Sequence, residues 1–206
     1  KDGLDYYLAM STEKLIEMIV GFKSKIAPPW VRIGRLIRDI TTTVMEGDGI
    51  APNLREVIQR KMKERGLHCN CIRCREIKDK KMVGQALLRI TKYNASKGKE
   101  YFLEFIDDVN NILGFLRLRI PGIDNKNELP AIVRELHVYG QALSLGKHDE
   151  TKIQHMSYGK QLLSEAEKIT KGLKINKIAV IAGIGAREYY KKFGYLLEDT
   201  YMIKDL

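Results

Sequence analysis

The sequence has 206 residues, of which 44% are hydrophobic and 30% charged, enough to bury one substantial core and a small appended subdomain. Lysine and arginine (36) outnumber aspartate and glutamate (26), which gives a formal net charge of +10. This excess favours polyanionic partners through counterion release from phosphates, although a lysine-rich surface that only maintains solubility has the same charge. The apolar stretches are far shorter than the ~20 residues that cross a bilayer, and no signal-peptide pattern opens the chain, so we expect a cytoplasmic protein without a membrane partner.

The first third of the chain predicts a small, mainly helical segment. It opens without a start signal, so we expect the chain to be part of a longer protein. Ser11 can cap a helix that runs to about residue 26 and stops at Pro28, because proline lacks an N–H and clashes with the preceding turn. A second, basic helix over residues 53–65 ends at Gly66.

Arginines alternate with apolar residues after the prolines, so this stretch can bury one face and present a cationic one. Together with the following basic helix they form a cation-rich segment that we expect to contact nucleic-acid phosphates. Its members are Arg32, Arg35, Arg38, Lys61, Lys63 and Arg65. An edge strand with solvated arginines is an equal alternative, because no nucleic-acid motif is complete here.

From residue 85 onward the periodicity predicts an α/β domain with a mixed, mostly antiparallel sheet. Four strands come first, over residues 85–93, 99–106, 112–120 and 131–139. A helix over 158–172, stopped by Gly172, a strand over 177–182, a helix over 186–193 and a closing strand over 195–203 follow.

A phosphate-binding loop is predicted between the fourth strand and the long helix. Free N–H groups at a helix start bind anions, and small residues allow close approach. The segment resembles the pyrophosphate loop of GNAT acetyltransferases, with serine at 157 where that pattern has its first glycine; a capped amphipathic helix is the alternative. Its residues are Gln154, His155, Met156, Ser157, Tyr158, Gly159 and Lys160.

Four stretches carry a further resemblance that spans essentially the whole chain. They are residues 134–140 (RELHVYG), 183–195 (GIGAREYYKKFGY), 68–76 (HCNCIRCRE) and 29–33 with 38–40 (PWVRI and RDI). Together they resemble the catalytic subunit of Elongator, in its archaeal form. The resemblance implies a GNAT-type fold and an enzyme that uses acetyl-CoA to install a carboxymethyl-type group on C5 of the tRNA wobble uridine.

The same resemblance implies a domain plan. Family members need an N-terminal radical-SAM domain, with S-adenosylmethionine and an iron–sulfur cluster on a CxxxxCxxC-like run that does not occur here. Residues 1–66 would then be the remnant or linker of that domain, 67–80 a metal-binding cysteine loop, and 81–206 the GNAT domain. The implied partners are tRNA, the missing radical-SAM domain, and other Elongator subunits or a second copy of the chain. We expect the chain to bind and cleave acetyl-CoA but not to modify tRNA alone.

All three cysteines, Cys69, Cys71 and Cys74, lie close together, which suits a metal better than a disulfide framework. One loop can supply three tetrahedral corners to zinc, with His68, water or a group from the missing domain as the fourth. An iron–sulfur cluster is the second choice, and unligated thiols are the remaining alternative. The resemblance also implies a structural zinc between the two catalytic domains.

Two groups of side chains are candidates for catalysis. Glu135 and His137 share one face of their strand, and either can orient water or act as a base. The resemblance implies that the backbone of residues 136–138 (Leu136 to Val138) pairs with pantetheine. Tyr189 and Tyr190 follow a Gly-Ile-Gly turn; because adjacent helix residues point about 100° apart, we favour Tyr190 as proton donor to the departing thiolate and Tyr189 as cofactor packing.

Each of these candidates has a structural alternative. A tyrosine pair on a helix is often simple packing, and a lone histidine is often a satisfied, partly buried one. Three functions follow: the acetyltransferase module, a tRNA-binding module that holds acetyl-CoA without turnover, and a protein lysine acetyltransferase. They differ in the acceptor, which the sequence does not decide.

Overall fold

A computed structural model describes residues 10–36, 53–78, 80–122, 129–139 and 157–206. The chain divides into a first unit that ends at Arg75 and a second unit, Glu76–Leu206. The division falls inside the predicted cysteine loop, so all three cysteines belong to the first unit. None of the helices in these ranges combines the length and the apolar character that a membrane span requires.

The first unit is helical, as predicted. Helix α1 (Thr12–Gly21) continues into a π-helical turn (Phe22–Ile26), and α2 spans Leu54–Glu64, followed by the short helix α3 (Ile72–Arg75). The Ser11 side chain caps α1 by accepting a hydrogen bond from the Lys14 amide at 3.4 Å. Apolar faces of α1 and α2 form one cluster, and each such side chain contributes about 1.5–3 kcal/mol when fully buried. The buried members are Ile16, Val20, Leu54, Ile58 and Met62.

The second unit is built on one seven-stranded sheet in the order β1-β2-β3-β4-β5-β7-β6. Neighbouring strands are antiparallel except for the parallel pair β4 and β5. The strands are β1 Leu87–Ala95, β2 Gly98–Ile106, β3 Ile112–Ile120, β4 Ala131–Val138, β5 Lys177–Ile181, β6 Leu196–Glu198 and β7 Tyr201–Asp205. The expected α/β class with a mixed, mostly antiparallel sheet is confirmed.

Helix α4 (Tyr158–Gly172) crosses between β4 and β5 and covers one face of the sheet. It buries Leu162, Leu163 and Ala166, and the Tyr158 ring packs on Phe105 of β2 at a centroid distance of 4.7 Å. After β5, a 3₁₀ turn (Ile184–Ala186) leads into α5 (Arg187–Lys191). This arrangement brings the start of α4 and the tyrosines of α5 to the same end of β4.

The opposite face of the central strands carries charged groups. Glu104 is fully buried and pairs with Arg89 at 2.6 Å. Glu100, 1% exposed, accepts hydrogen bonds from Arg134 at 2.8 Å and Arg119 at 3.5 Å. Burial of these carboxylates is tolerable because each has a guanidinium partner.

One strand prediction is wrong. The closing strand over 195–203 is two strands, because Asp199 turns the chain between β6 and β7 with a left-handed φ of 52°, a conformation that aspartate tolerates. Helix α4 ends at Gly172, as predicted, although the left-handed conformation beyond it is taken by Lys174, at φ 61°, and not by the glycine. The alternative of an edge strand is excluded, because residues 31–35 form no strand. Their alternation instead supports the cysteine loop, since the Val31 carbonyl accepts from the Ile72 amide at 2.9 Å.

Candidate functional site

A cleft opens where β4 and β5 separate. Their parallel pairing covers Ala131 to Val133 of β4 and Ile178 to Val180 of β5, and goes no further along the described strands. The later part of β4 stays paired with β3 through Val138. Its other edge therefore leaves backbone N–H and C=O groups turned toward the cleft, where an extended ligand can pair with them.

The cleft has a volume of about 430 Å³ and brings together three elements. Leu136 and Val138 come from β4, Gly159 from the first turn of α4, and Tyr189 and Tyr190 from α5. The full lining is Leu136, Val138, Ser157, Gly159, Lys160, Ala186, Tyr189, Tyr190 and Phe193.

The first turn of α4 is arranged to receive an anion. Ser157 occupies the position before the helix in the left-handed region, at φ 56° and ψ 25°, and its side chain makes no capping hydrogen bond. The Ser157 side chain thus does not compete with a ligand for the amides of the first turn, and the helix dipole favours negative charge there. Lys160 lies on the same turn, is exposed and adds a positive charge.

Gly159 allows a close approach at this turn. A Cβ at this position would lie 2.7 Å from the Tyr189 hydroxyl and 3.5 Å from a Val138 methyl. Only a residue without a side chain lets the phenol and the helix backbone come this close. The Tyr189 hydroxyl consequently lies over the start of α4.

The two tyrosines of α5 have different environments. Their rings meet edge to face, with centroids 5.3 Å apart. Tyr190 is buried against Tyr195, whereas Tyr189 is 36% exposed and packs on Phe193. Burial raises the pKa of Tyr190 to about 12, with a further contribution from Tyr189. Burial also raises the pKa of Tyr189, so both phenols are protonated at neutral pH.

Glu135 and His137 lie on the face of β4 opposite to Leu136 and Val138. Glu135 accepts a hydrogen bond from Arg117 at 2.9 Å, and the exposed His137 ring packs against Tyr139 at 4.4 Å. Alternation along the strand accounts for this separation. The structure does not bring these two side chains together with the tyrosine pair.

Part of the predicted pyrophosphate loop lies outside the described residues. Gln154, His155 and Met156 belong to that part, as does Arg38 of the cationic segment. Among the described loop residues, Tyr158 points into the core, where it is 4% exposed and contacts Phe105. Ser157, Gly159 and Lys160 line the cleft.

The three thiols come together in the first unit. The sulfur atoms of Cys69, Cys71 and Cys74 all lie within 4.8 Å of one another. Tetrahedral zinc with Zn–S bonds of about 2.3 Å requires sulfur separations of about 3.8 Å, a small adjustment from this arrangement. His68 is exposed and does not belong to this group of potential ligands among the described residues. The donor set fits a thiophilic metal.

The loop that holds the thiols is fixed by its own backbone and by a buried arginine. Cys71 is fully buried, and its carbonyl accepts from the Cys74 amide at 3.1 Å. Arg75, 5% exposed, donates to the Asn70 carbonyl at 2.7 Å and to the Pro29 carbonyl at 2.9 Å. Hydrogen bonds from Cys69 and Cys74 lower the pKa of the Cys71 thiol, whereas hydrogen bonds with Cys69 and Cys71 raise the pKa of Cys74, so the first thiolate of the cluster forms at Cys71.

The predicted phosphate-binding cations are not equivalent. Glu17 of α1 forms ion pairs with Lys61 at 2.6 Å and with Arg65 at 2.7 Å. A hydrogen bond from Arg65, and a weaker contribution from Lys61, lower the pKa of Glu17 to about 2. Lys63, Arg32 and Arg35 are exposed. The charge of the α2 pair is thus partly balanced within the unit.

Several residues of the cleft and of the thiol cluster were not among those predicted from the sequence. Ala186 and Phe193 line the cleft because α5 packs across its end, which no local pattern reveals. Lys23 lies with its ammonium nitrogen 3.6 Å from the Cys74 sulfur. A lysine where the apolar stripe of α1 continues into the π-helical turn was the available signal for this contact.

Comparison with known proteins identifies relatives over almost the whole chain. No family model matches. The tRNA uridine(34) acetyltransferase of Dehalococcoides mccartyi is 40% identical over 192 residues, covering 88% of this chain and 42% of the relative. The protein of the same name from Methanocaldococcus infernus is 42% identical over 212 residues, covering 94% and 39%. Elongator complex protein 3 of Homo sapiens is 38% identical over 211 residues, covering 97% and 38%.

A solved structure shares the fold. The archaeal Methanocaldococcus infernus Elp3 with an N-terminal deletion superposes with a TM-score of 0.80 at 40% identity, covering 95% of this chain and 49% of that one. The chain spans about two fifths of the length of these curated relatives. Such identity across nearly the whole chain, with a common fold, shows that the chain belongs to the family of tRNA uridine(34) acetyltransferases and Elongator complex protein 3.

Proposed function

We propose that this chain is the GNAT-type, acetyl-CoA-binding acyltransferase module of an enzyme that modifies the tRNA wobble uridine at C5. One observation carries the proposal: the edge of β4 that lies beyond its described pairing with β5, the first turn of α4 and a tyrosine pair line one cleft. This combination matches the three parts of acetyl-CoA: amide-bearing pantetheine, diphosphate and thioester. The names of the relatives support uridine 34 of tRNA as the site that the complete enzyme acts on.

In this proposal the cofactor is held mainly by backbone. The edge of β4 at Leu136 to Val138 pairs with the pantetheine amides as an additional strand would. The amides of Tyr158, Gly159 and Lys160 bind the diphosphate, and the Lys160 ammonium adds attraction. Gln154, His155 and Met156 extend the same loop. The apolar side chains of Leu136, Val138 and Phe193 exclude water around the pantetheine arm.

Cleavage then proceeds by direct attack on the thioester. Water or an activated acceptor adds to the acetyl carbonyl, the C–S bond breaks, and the departing thiolate takes the proton of Tyr190. The phenolate recovers its proton from solvent. A covalent acyl-enzyme is not part of the proposal, since the three cysteines form the thiol cluster and no Ser–His–Asp arrangement is readable in the sequence.

The two tyrosines have separate roles here. Tyr190 keeps its proton at neutral pH because its pKa is about 12, so the hydroxyl is always available as a donor. The Tyr189 hydroxyl lies over Gly159 and serves cofactor packing. Glu135 and His137, on the other face of β4, would act only on an acceptor that approaches from that side.

The cysteine cluster is proposed to hold zinc. Cys69, Cys71 and Cys74 would supply three thiolates, and the ion would crosslink a loop that lacks a large core of its own. Metal analysis of purified protein tests this: one zinc per chain supports it, whereas iron or no metal contradicts it.

The chain's place in a larger enzyme is also a proposal. Residues 1–66 are proposed as the remnant of a radical-SAM domain, 67–80 as the metal loop and 81–206 as the GNAT domain. The missing domain would carry the iron–sulfur cluster and S-adenosylmethionine. The tRNA, the missing domain, and other Elongator subunits or a second copy are the proposed partners, in the cytoplasm. The cations at 32, 35, 38, 61, 63 and 65 are the proposed phosphate contacts.

Incubation with acetyl-labelled acetyl-CoA tests the function directly, with free acetate, CoA and labelled macromolecules followed separately, with and without tRNA. We expect CoA and acetate from this chain alone, and slower release from the Tyr190→Phe variant at unchanged acetyl-CoA affinity. Label on lysine would favour a protein acetyltransferase. Bound but uncleaved acetyl-CoA in both conditions would leave a binding module and refute catalysis.

A further inference from the structure

A lysine occupies a core-facing position of the first helix. The buried side of α1 and its π-helical extension is formed by Ile16, Val20, Lys23 and Ala27, at the spacing of one helix face. Lys23 is only 2% exposed, whereas Lys25, two residues later, points to solvent. Lysine is almost never fully buried without a partner, because desolvating an ammonium is costly. The position therefore requires a compensating negative charge.

The partner that the structure gives to Lys23 is a sulfur. Its Nζ lies 3.6 Å from the Sγ of Cys74, and within the described residues this is the contact that satisfies the ammonium. Lys23 and Cys74 line a cavity of about 260 Å³, together with Cys69 and His68. Lys23 therefore faces the thiol cluster from the helix side. A neutral thiol is a weak acceptor, while a thiolate is both a better acceptor and a counter-charge.

Charge balance explains why a cation belongs there. Three thiolates around a divalent ion carry a net charge of −1, and Cys71 at the centre of the loop is fully buried. No histidine, aspartate or glutamate of the described chain joins the three sulfurs as a fourth potential ligand. An ammonium beside Cys74 restores neutrality next to the buried Cys71.

We propose that Lys23 is a positioning residue of the metal centre: its ammonium donates a hydrogen bond to the Cys74 thiolate and raises the metal affinity of the three-cysteine site. The inference rests on the proposed metal site. Lys23 then lies outside the ligand set. Loss of a residue that hydrogen-bonds to a metal ligand typically changes metal affinity by about 10- to 100-fold. The positive charge, rather than the amine as a ligand, is the feature that the site uses.

Zinc competition with a chromophoric chelator tests this on the purified chain, comparing wild type with Lys23→Met, Lys23→Arg and Lys25→Met. We expect Lys23→Met to bind zinc about 10- to 100-fold more weakly. Lys23→Arg, which keeps the charge, should recover most of the loss, and Lys25→Met should match wild type. Far-UV circular dichroism and thermal unfolding of the metal-free proteins identify any variant that fails to fold.

Cobalt(II) spectra supply a second readout that does not depend on affinity. If Lys23 acts from outside the ligand set, the d–d bands of saturated Lys23→Met keep their wavelength and intensity. A changed ligand-field spectrum in Lys23→Met would make Lys23 a direct ligand and overturn the proposal, as would wild-type zinc affinity in folded Lys23→Met. Absence of zinc binding by the wild type would instead remove the metal site itself, which separates the two failures.

Discussion

Gly159→Ala tests the cleft where the Tyr189 hydroxyl lies over the first turn of α4. A methyl group there would lie 2.7 Å from the Tyr189 hydroxyl, closer than van der Waals contact allows, and 3.5 Å from Val138. Tyr189 is 36% exposed, so its ring can move aside and the fold can persist. Alanine is also the better helix former, by about 1 kcal/mol. We therefore expect a folded variant whose defect lies in ligand binding.

The size of that defect follows from the amides that the methyl group covers. A hydrogen bond to a charged group contributes about 1.5–3 kcal/mol, and the methyl displaces a diphosphate oxygen from at least one such bond. At 1.4 kcal/mol per factor of ten, acetyl-CoA affinity should fall roughly 10- to 150-fold. Isothermal titration calorimetry with acetyl-CoA measures this fall.

Gly172→Ala is the matched control, because it lies on the same helix and a Cβ there meets nothing within 4 Å. It should stabilise the protein by about 0.5–1 kcal/mol and leave binding unchanged. Tyr189→Phe in the Gly159→Ala background removes the clashing oxygen and separates displacement of the phenol from obstruction of the amides. Persistent weak binding in that double variant is expected. Wild-type affinity in folded Gly159→Ala would refute the assignment of this turn to the diphosphate.

Three further predictions concern other parts of the molecule. Ser157→Gly relieves a left-handed φ of 56° and should raise the free energy of unfolding by about 0.5–1 kcal/mol in urea titrations; an unchanged midpoint contradicts the strain. Tyr190 has a pKa of about 12 in the folded protein, against 10 in the unfolded chain. The folded protein therefore keeps this phenol protonated to a higher pH, and its stability falls as the pH rises from 10 to 12. Tyr190→Phe should lessen that fall and lower thioester cleavage about 10²- to 10⁴-fold, and identical alkaline unfolding and cleavage rates would make the tyrosine structural. Glu17→Gln releases Lys61 and Arg65 from their ion pairs, so tRNA affinity and its salt slope should increase; flat salt dependence would exclude phosphate contacts by this face.

Periodic elements were predictable because their signals are local. The helix over 158–172 and the strand over 112–120 have the bounds that their apolar spacing indicated. The resemblance of four short stretches to one family was confirmed by relatives that cover most of the chain. The thiol cluster followed from the spacing of three cysteines alone.

What the sequence left open depends on contacts between distant residues. Nothing near Glu135 indicates that it faces away from the cleft; that follows from the register of β4 against β3, which pairs it with Arg117. The hairpin at Asp199 was missed because the apolar run on both sides of it reads as one strand. The contact between Lys23 and Cys74 joins positions 51 residues apart.

The short seam between β4 and β5 has a thermodynamic consequence. Among the described residues, three pairs join strands β1 to β4 with the β5-β7-β6 ribbon, so the sheet consists of two blocks that these backbone contacts connect weakly. A ligand whose amides pair along the open edge of β4 would fill the gap as a strand made of another molecule. Binding of such a ligand would then also hold the two blocks of the sheet together. Occupancy would stabilise the folded chain by mass action and slow hydrogen exchange in the ribbon. In the proposed function, acetyl-CoA would thus be both the substrate and an additional strand of the sheet.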